Sequence, residues 1–365
     1  MLISTYKMEI IKNYLKYSLW LVLIVFAALF GLHWLPAITI DGHTMRRVDL
    51  LSDLRYPKQE VAVADSDTIP LPPVVKPVFV DTCRAGMTCI EDYGDSTRRG
   101  MASFYEALDR TSSSHPDHDG LVRIAVFGDS FIEADIFTAD LREMLQKRFG
   151  GCGVGFVTIT SMTSGYRPTV RHTFGGWSSH AVTDSVYFDK KKQGISGHYF
   201  IPREGAYVEL RGQSKYASLL DTCQQASIFF YNKDSVHLTA RVNRGESKNY
   251  SLAPSGDLQK ISVEGRIGSV RWTVDRADST LFYGLAMDGK KGIILDNFSL
   301  RGSSGLSLRG IPQQMLRQFN EQRPYDLIIL EYGLNVATER GRNYDNYQKG
   351  LLTSCLLYTS DAADE

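Results

Sequence analysis

The chain has 365 residues, with 41 basic against 41 acidic side chains, 43% hydrophobic, 22% charged and 11% aromatic residues. That balance excludes a disordered tail, a collagen-like fibre and a strongly basic nucleic-acid binder, each of which needs a skewed composition. The length calls for more than one packed unit, and five cysteines are too few for a mini-fold built on disulfides.

Residues 1–16 precede an uncharged tract, Tyr17 to Leu35 (YSLWLVLIVFAALFGLHWL), which is apolar all round and long enough as a helix to cross a bilayer. It is expected to be an N-terminal transmembrane helix. Lys7, Lys12 and Lys16 before it, against Arg46 and Arg47 after it, lean towards a cytoplasmic tail at 1–16. A cleaved signal peptide is the rival reading, but His33, Trp34, Leu35 and Pro36 stand where small cleavage-site residues belong. An uncleaved anchor places the rest of the chain in the periplasm or another extracytoplasmic space. Residues 36–80 carry Pro70, Pro72, Pro73 and Pro77 with scattered acids and are expected to form a semi-extended linker. Cys83 and Cys89, around Gly86, suit a small disulfide loop in an oxidising compartment, whereas CRAGMTC offers too few ligands for a metal.

Leu121 to Phe127 (LVRIAVF) has the length and composition of a strand buried on both faces, and it ends in Gly128-Asp129-Ser130. From Ile132 the apolar residues recur at Ile136, Phe137, Leu141, Met144, Leu145 and Phe149, which predicts a helix stopped by Gly150-Gly151. Ser130 then sits where a strand gives way to a helix, a place that suits a nucleophile, since the helix amino terminus favours negative charge. Gly, Asp and Ser are also ordinary turn and cap residues, and a lone GDS reads first as a turn.

Between Trp177 and about Gly289 the pattern changes to short alternating runs: Val236, Leu238, Ala240 and Val242, then Val270, Trp272 and Val274, with the strand-rich SIFFY at Ser227 to Tyr231. An antiparallel β-sandwich is expected over 177–289, inserted into the surrounding domain and placed to grip a substrate. Tyr187, Phe188, Tyr199, Phe200 and Tyr207 are candidates to stack on sugar rings, although core packing is the commoner fate of strand aromatics. No spacing rule pairs Cys152 with Cys223. Gly292 to Leu295 (GIIL) and Asp326 to Leu330 (DLIIL) are two more buried runs, delivering the polar loops DNFSLRGS and EYGLN. If these strands run parallel to the first, all three loops meet at one sheet edge, the usual place for a site in an open α/β sheet.

On the blocks GDSFIEADIFTADLREMLQKRFGGCGVGF, DNFSLRGSSG and YGLN the chain resembles the SGNH (GDSL) hydrolase superfamily. It is most similar to the peptidoglycan O-acetylesterase-like branch, in which a β-domain is inserted within the hydrolase domain. The likeness covers roughly residues 90–352. It implies an α/β, three-layer, flavodoxin-like domain with a parallel sheet, split into 81–176 and 290–354 by the insert. It further implies that Ser130 is the nucleophile and lends its backbone N–H to an oxyanion hole, with Gly302 supplying a second N–H and the Asn335 amide a third donor. The chemistry agrees, because preorganised neutral donors stabilise the charge that ester cleavage puts on oxygen. A glycine at 302 is expected to leave room for close approach of the backbone to substrate. Asn335 taken alone reads equally as a turn residue, Asp129 as a shaper of the turn, and Asn297 as a tie between loops. No metal and no organic cofactor is implied.

One part of the pattern is missing. In this superfamily the base is the His of an Asp-x-x-His block near the C-terminus, yet all eight histidines precede Gly302. His172, His180 and His198 read as ordinary surface or loop residues. A helix is expected from Asn343 to Leu352, and Cys355 to Glu365 (CLLYTSDAADE) resembles the translation of a sequencing adapter. On that resemblance the domain is expected to be incomplete after Ser354 and the chain as written impaired. The leading expectation is a membrane-anchored serine esterase that removes O-acetyl or similar acyl groups from a cell-envelope glycan such as peptidoglycan. The alternatives are an O-acyltransferase using the same serine and a non-catalytic glycan-binding envelope protein. No nucleic-acid partner is expected.

Overall fold

The computed structural model describes residues 16–28, 30–31, 39–40, 43–44, 100–111, 120–184, 188–338 and 343–359. Two compact units divide the chain, Met1–Val78 and Phe79–Glu365. In the first, residues 16–28 are helical with every side chain exposed, and Thr39–Ile40 pairs antiparallel with His43–Thr44. Among the described residues no helix is long and apolar enough to cross a membrane, so the anchor expected at Tyr17 to Leu35 is not supported. Residue 29 and residues 32–35 of that tract, most of the linker, Cys83, Cys89 and Tyr187 lie outside the described residues.

The second unit opens with α1 (Ala102–Asp109), β1 (Leu121–Gly128), α2 (Thr138–Phe149), β2 (Gly155–Val157), β3 (Val170–Ala181) and β4 (His198–Gly212). It continues through β5 (Cys223–Asn232), β6 (Val236–Val242), β7 (Ser247–Leu252), β8 (Leu258–Ile267), β9 (Ser269–Ala277) and β10 (Thr280–Asp288). It closes with β11 (Gly292–Ser299), α3 (Gln313–Gln322), β12 (Leu327–Glu331) and α4 (Asp345–Thr359).

The fold is mixed α/β, with one parallel and one antiparallel sheet. The three runs expected to be parallel neighbours form a sheet in the order β11-β1-β12. Val122, Ile124 and Val126 of β1 pack with Phe104 and Ala107 of α1 and with the inner side of α2, while Ala125 and Phe127 face Phe298 and Phe319 on the other side. Burial on both faces is why the run is apolar throughout rather than alternating. β11 extends past the expected GIIL through Asp296 and Asn297, both buried, so polar residues that read as loop belong to the strand.

The antiparallel strands lie in sequence between β1 and β11. They begin upstream of Trp177, which falls inside β3, and run from Gly155 to Asp288. The expected pair of sandwich sheets is hydrogen-bonded as one nine-stranded sheet with the order β8-β5-β10-β4-β9-β6-β7, β2 adding to β10 and β3 to β4. Its continuity comes from β4, which pairs through Phe200 with Phe282 of β10 and through Tyr207 to Arg211 with β9. A bulge between Gly175 and Trp177, with Gly176 at φ +82° opposite the Pro202 stretch, bends the β3–β4 hairpin. Strands that switch partners at such bends turn a sheet around its own core, here Trp272, Phe200, Phe230 and Phe282. The two sheets share a second core of Phe127, Phe298, Phe156, Phe229 and Phe319. Beside it the buried Arg323 guanidinium joins Asp288 of β10 to Asp296 of β11.

Two helix boundaries differ from expectation. α2 starts at Thr138 rather than Ile132, because Ala134 and Asp135 are left-handed (φ 55° and 62°) and lie within a single 3₁₀ turn, Glu133–Asp135, that does not continue as a helix. The cause is the buried Asp135 carboxylate, which accepts bonds from Thr138, Arg142, Arg167, Thr169 and Asn297 and so fixes the chain in this conformation. Ile136 and Phe137, ahead of the helix, are consequently exposed, and Met144 lies on the exposed face of α2. At the other end, α4 runs from Asp345 to Thr359, beyond the expected Leu352.

Candidate active site

The parallel sheet is in register at its carboxyl edge: Gly128 lies opposite Ser299 on one side and Glu331 on the other. All three chains therefore leave the sheet at one level, and their loops fold together. Gly128 allows this closeness, since a Cβ there would stand 2.9 Å from Glu331 Oε2 and from Ile132.

Ser130 lies in the turn after β1, half-buried. Asp129 beneath it is fully buried; its Oδ1 accepts the Phe131 N–H at 2.9 Å and its Oδ2 accepts an amide hydrogen of Asn335 at 2.8 Å. This is an Asx turn, as expected of Asp129. The Asn335 amide also donates to the Ser303 carbonyl at 2.9 Å. One side chain from the third loop thus ties the residue before Ser130 to the residue after Gly302. All three sequence-predicted residues meet on one rim, and Asn335 does so as a clamp whose two amide hydrogens both have internal acceptors.

Gly302 occupies the third position of the turn closed by the Ser303 N–H to Leu300 carbonyl bond of 3.0 Å, with φ +74°. A Cβ at 302 would meet no protein atom within 4 Å, so within the fold the requirement for glycine is the left-handed backbone conformation of the turn. The following loop is fixed by Tyr347 O–H donating to the Ser304 carbonyl at 2.9 Å and by the Ser303 hydroxyl accepting the Gly305 N–H. Among the described residues no acceptor takes the N–H of Ser130, the Ser130 hydroxyl or the N–H of Gly302. Two backbone donors and a hydroxyl are therefore free on the same rim, the group set that acyl transfer uses.

The helix dipole expected beside Ser130 is displaced, because α2 begins eight residues later, at Thr138. Asn297 does tie loops together: its amide donates to Ile132 O at 2.6 Å, to Asp135 Oδ1 at 2.9 Å and to Thr138 Oγ1 at 2.8 Å. Sequence reading missed Glu331. Its carboxyl ends β12, accepts the Asp129 N–H, and is pushed above the usual carboxylate range by burial and by the Asp129 charge, while Oε2 has no protein partner. The only signal for it was a lone acid closing an apolar strand run.

A cleft of about 330 Å³ adjoins the rim. Glu133, paired with Arg301, and Ser299 line it from the parallel-sheet loops; Ser179, Asp184 and His198 line it from the antiparallel sheet. The histidines are not loop residues. His172 lies buried on β3 with Nε2 bonded to the Ile159 carbonyl at 3.0 Å, and burial pulls it down to about 4. His180 stacks on Tyr199, and His198 sits on β4 with Nδ1 bonded to the Ser196 carbonyl at 2.8 Å. Of the aromatic candidates, Tyr199 and Phe200 are buried in the two cores, Phe188 packs against Tyr199, and Tyr207 lies under the Arg271 guanidinium. Cys152 and Cys223 are free thiols. Among the described residues no group of three or more His, Cys, Asp or Glu is placed to hold a metal ion.

No model of a known protein family matches the sequence, and no curated protein matches it. A solved structure of a peptidoglycan O-acetylesterase shares the fold, with a TM-score of 0.57 and 19% identity over 73% of this chain and 70% of that one. At this identity the likeness establishes the architecture, a parallel sheet with an antiparallel one packed on it. A family 29 carbohydrate-binding module matches at TM-score 0.23 and 12% identity, over 38% of this chain and 89% of that chain. A Podospora anserina GH26-CBM35 β-(1,4)-mannanase matches at 0.22 and 10%, over 33% of this chain and 28% of that chain. At such scores neither of these two bears on the fold.

Proposed function

We propose that the chain is a serine hydrolase of the SGNH type that removes O-acetyl or similar acyl groups from cell-envelope polysaccharide such as peptidoglycan. The observation that carries this reading is the pair of unengaged N–H groups at Ser130 and Gly302, held on one rim through Asn335. In the proposed reaction the Ser130 hydroxyl attacks the ester carbonyl, its proton passing to a base, and the two N–H groups bind the tetrahedral oxygen. The Asn335 hydrogen that rests on Ser303 turns to the same oxygen as the third donor. Collapse expels the sugar hydroxyl and leaves acyl-Ser130, which water hydrolyses. The base is the His of an Asp-x-x-His block downstream of Ser354, and the sugar lies in the cleft between Arg301 and His198. An extracytoplasmic setting belongs to the same proposal.

The test is acetate release from O-acetylated peptidoglycan by the chain and by a form extended through the downstream coding sequence, with Ser130→Ala in both. Turnover restored by extension and abolished by Ser130→Ala supports the reading. Product that forms only when an acceptor sugar is added makes the protein a transferase. An extended form without turnover, and without labelling of Ser130 by a fluorophosphonate, overturns the nucleophile assignment.

A further inference from the structure

A second cavity, of about 710 Å³, lies outside the candidate active site, and Arg167 lines both it and the cleft. Its walls come from the loop at 164–168, the start of β3, and the segment after β4 at Gln213 to Tyr216. Arg167, Arg171 and Lys215 line it, and no acidic side chain does. Arg167 is committed on one side only: Nε donates to Asp135 at 2.8 Å and to Thr169 at 3.2 Å, while Nη2 is buried without a partner. Arg171 and Lys215 are exposed, and among the described residues neither has an ion-pair partner. A concave surface with two unpaired cations and no acid in its lining collects anions.

Two features add to the charge. His172, 6% exposed, lines the same cavity. A carbonyl can only accept, so the bond to Ile159 places the ring proton on Nε2 and makes Nδ1 an acceptor, and that atom has no protein partner. A buried acceptor without a donor is costly, and the group that suits it is a hydroxyl donor rather than a bare anion. Tyr166, 84% exposed, and Tyr216, whose hydroxyl is fixed on Asp140, present rings at the rim. Rings in that position suit a sugar face.

We propose that this cavity binds a carboxylate-bearing saccharide, the carboxylate held by Arg171, Lys215 and the free Nη2 of Arg167, and a ring hydroxyl donating to His172 Nδ1. The site does not include Ser130 and stands whether or not the esterase reading holds. Calorimetric titration with hyaluronan tetrasaccharide, with neutral chitotetraose and with inorganic phosphate tests it, on the parent chain, on R171A/K215A, on Tyr166→Ala and on Ser130→Ala. Hyaluronan tetrasaccharide is expected to bind with an affinity that falls as salt rises, and to lose about ten-fold or more in R171A/K215A, since two charge contacts disappear. Both replaced side chains are exposed, so folding, followed by circular dichroism, is expected to be unchanged. Chitotetraose is expected to bind about ten-fold more weakly or less well still. Tyr166→Ala is expected to weaken the tetrasaccharide, and Ser130→Ala to leave it unchanged. Equal binding of the neutral sugar, an unaffected R171A/K215A, or no binding at all overturns the proposal. Phosphate binding as tightly as the tetrasaccharide shows an anion site and overturns the saccharide assignment.

Discussion

If Asn335 clamps the rim, truncating it has a calculable cost. Asn335→Ala removes one bond to a buried carboxylate, Asp129, at 2.8 Å and one to the neutral Ser303 carbonyl at 2.9 Å. A bond to a charged group contributes about 1.5–3 kcal/mol and a neutral one about 0.5–1.5 kcal/mol. Asn335 is exposed, so water replaces part of what is lost, and the expected destabilisation is about 1–3 kcal/mol. Urea denaturation of the parent, Asn335→Ala, Asp129→Ala and the double variant measures both the cost and the coupling. Because the Asn335–Asp129 bond is shared, the two single effects should exceed the double effect by about 0.5 kcal/mol or more. Asn335→Asp should be worse than Asn335→Ala, since it faces an acid with an acid and offers an oxygen to the Ser303 carbonyl. Additive single effects, or an Asn335→Ala chain as stable as the parent, would refute the clamp and with it the reason the Ser130 and Gly302 loops share a rim.

Arg323→Met should cost about 3–5 kcal/mol, because it leaves Asp288 and Asp296 buried without their cation; chemical denaturation reads this directly. Glu331→Gln should stabilise by about 0.5–1.5 kcal/mol and raise Tm, since the amide keeps the acceptor for the Asp129 N–H and removes a charge that burial and Asp129 disfavour. A lowered Tm would sink this reading of Glu331. Asp135 is held well below the carboxylate range, its burial outweighed by Arg142 and Arg167. A depressed folded pKa gives stability that is present above the unfolded value, near 3.9, and is lost as pH falls below it. The deficit of Asp135→Asn at pH 7 should therefore shrink in urea titrations as pH drops below about 4.

What the sequence disclosed was whatever hydrophobic periodicity encodes. The three buried runs, the alternation in β6 and β9 and the convergence of three polar loops were legible because period and length specify strands buried on one or both faces. Buried polar residues hid the remainder. Asp296 and Asn297 read as loop because nothing in the sequence announces that Arg323 and Asp135 will satisfy them. Ile132 read as a helix start because local spacing cannot reveal that Asp135 will take left-handed φ to reach partners 32 and 162 residues away. Gly302 was legible as a glycine position, but the left-handed φ that its turn requires was not. Asp129 was legible as a turn residue, but its bond to Asn335 spans 206 positions and has no local signature.

The same long-range polar contacts bear on how a polymer could meet Ser130, the proposed nucleophile. A module joined by a flexible linker can hold substrate only loosely, adding effective concentration but no fixed geometry. Here the antiparallel sheet shares a phenylalanine core with the parallel sheet, and the buried Arg323 spans the joint between β10 and β11. The joint is therefore as rigid as a domain interior, where close packing transmits displacement instead of absorbing it. Ser179, Asp184 and His198 are then held in fixed register with Glu133 and Arg301 across the cleft. Weakening the joint should thus loosen ligand held in the cleft before it unfolds either sheet. Phe319→Ala, which opens the shared core at the centre of its aromatic contacts with Phe156, Phe229 and Phe298, should cost about 3–5 kcal/mol. It should also raise hydrogen exchange along β10 and β11 together; exchange rising in one strand alone would show that the two sheets move independently.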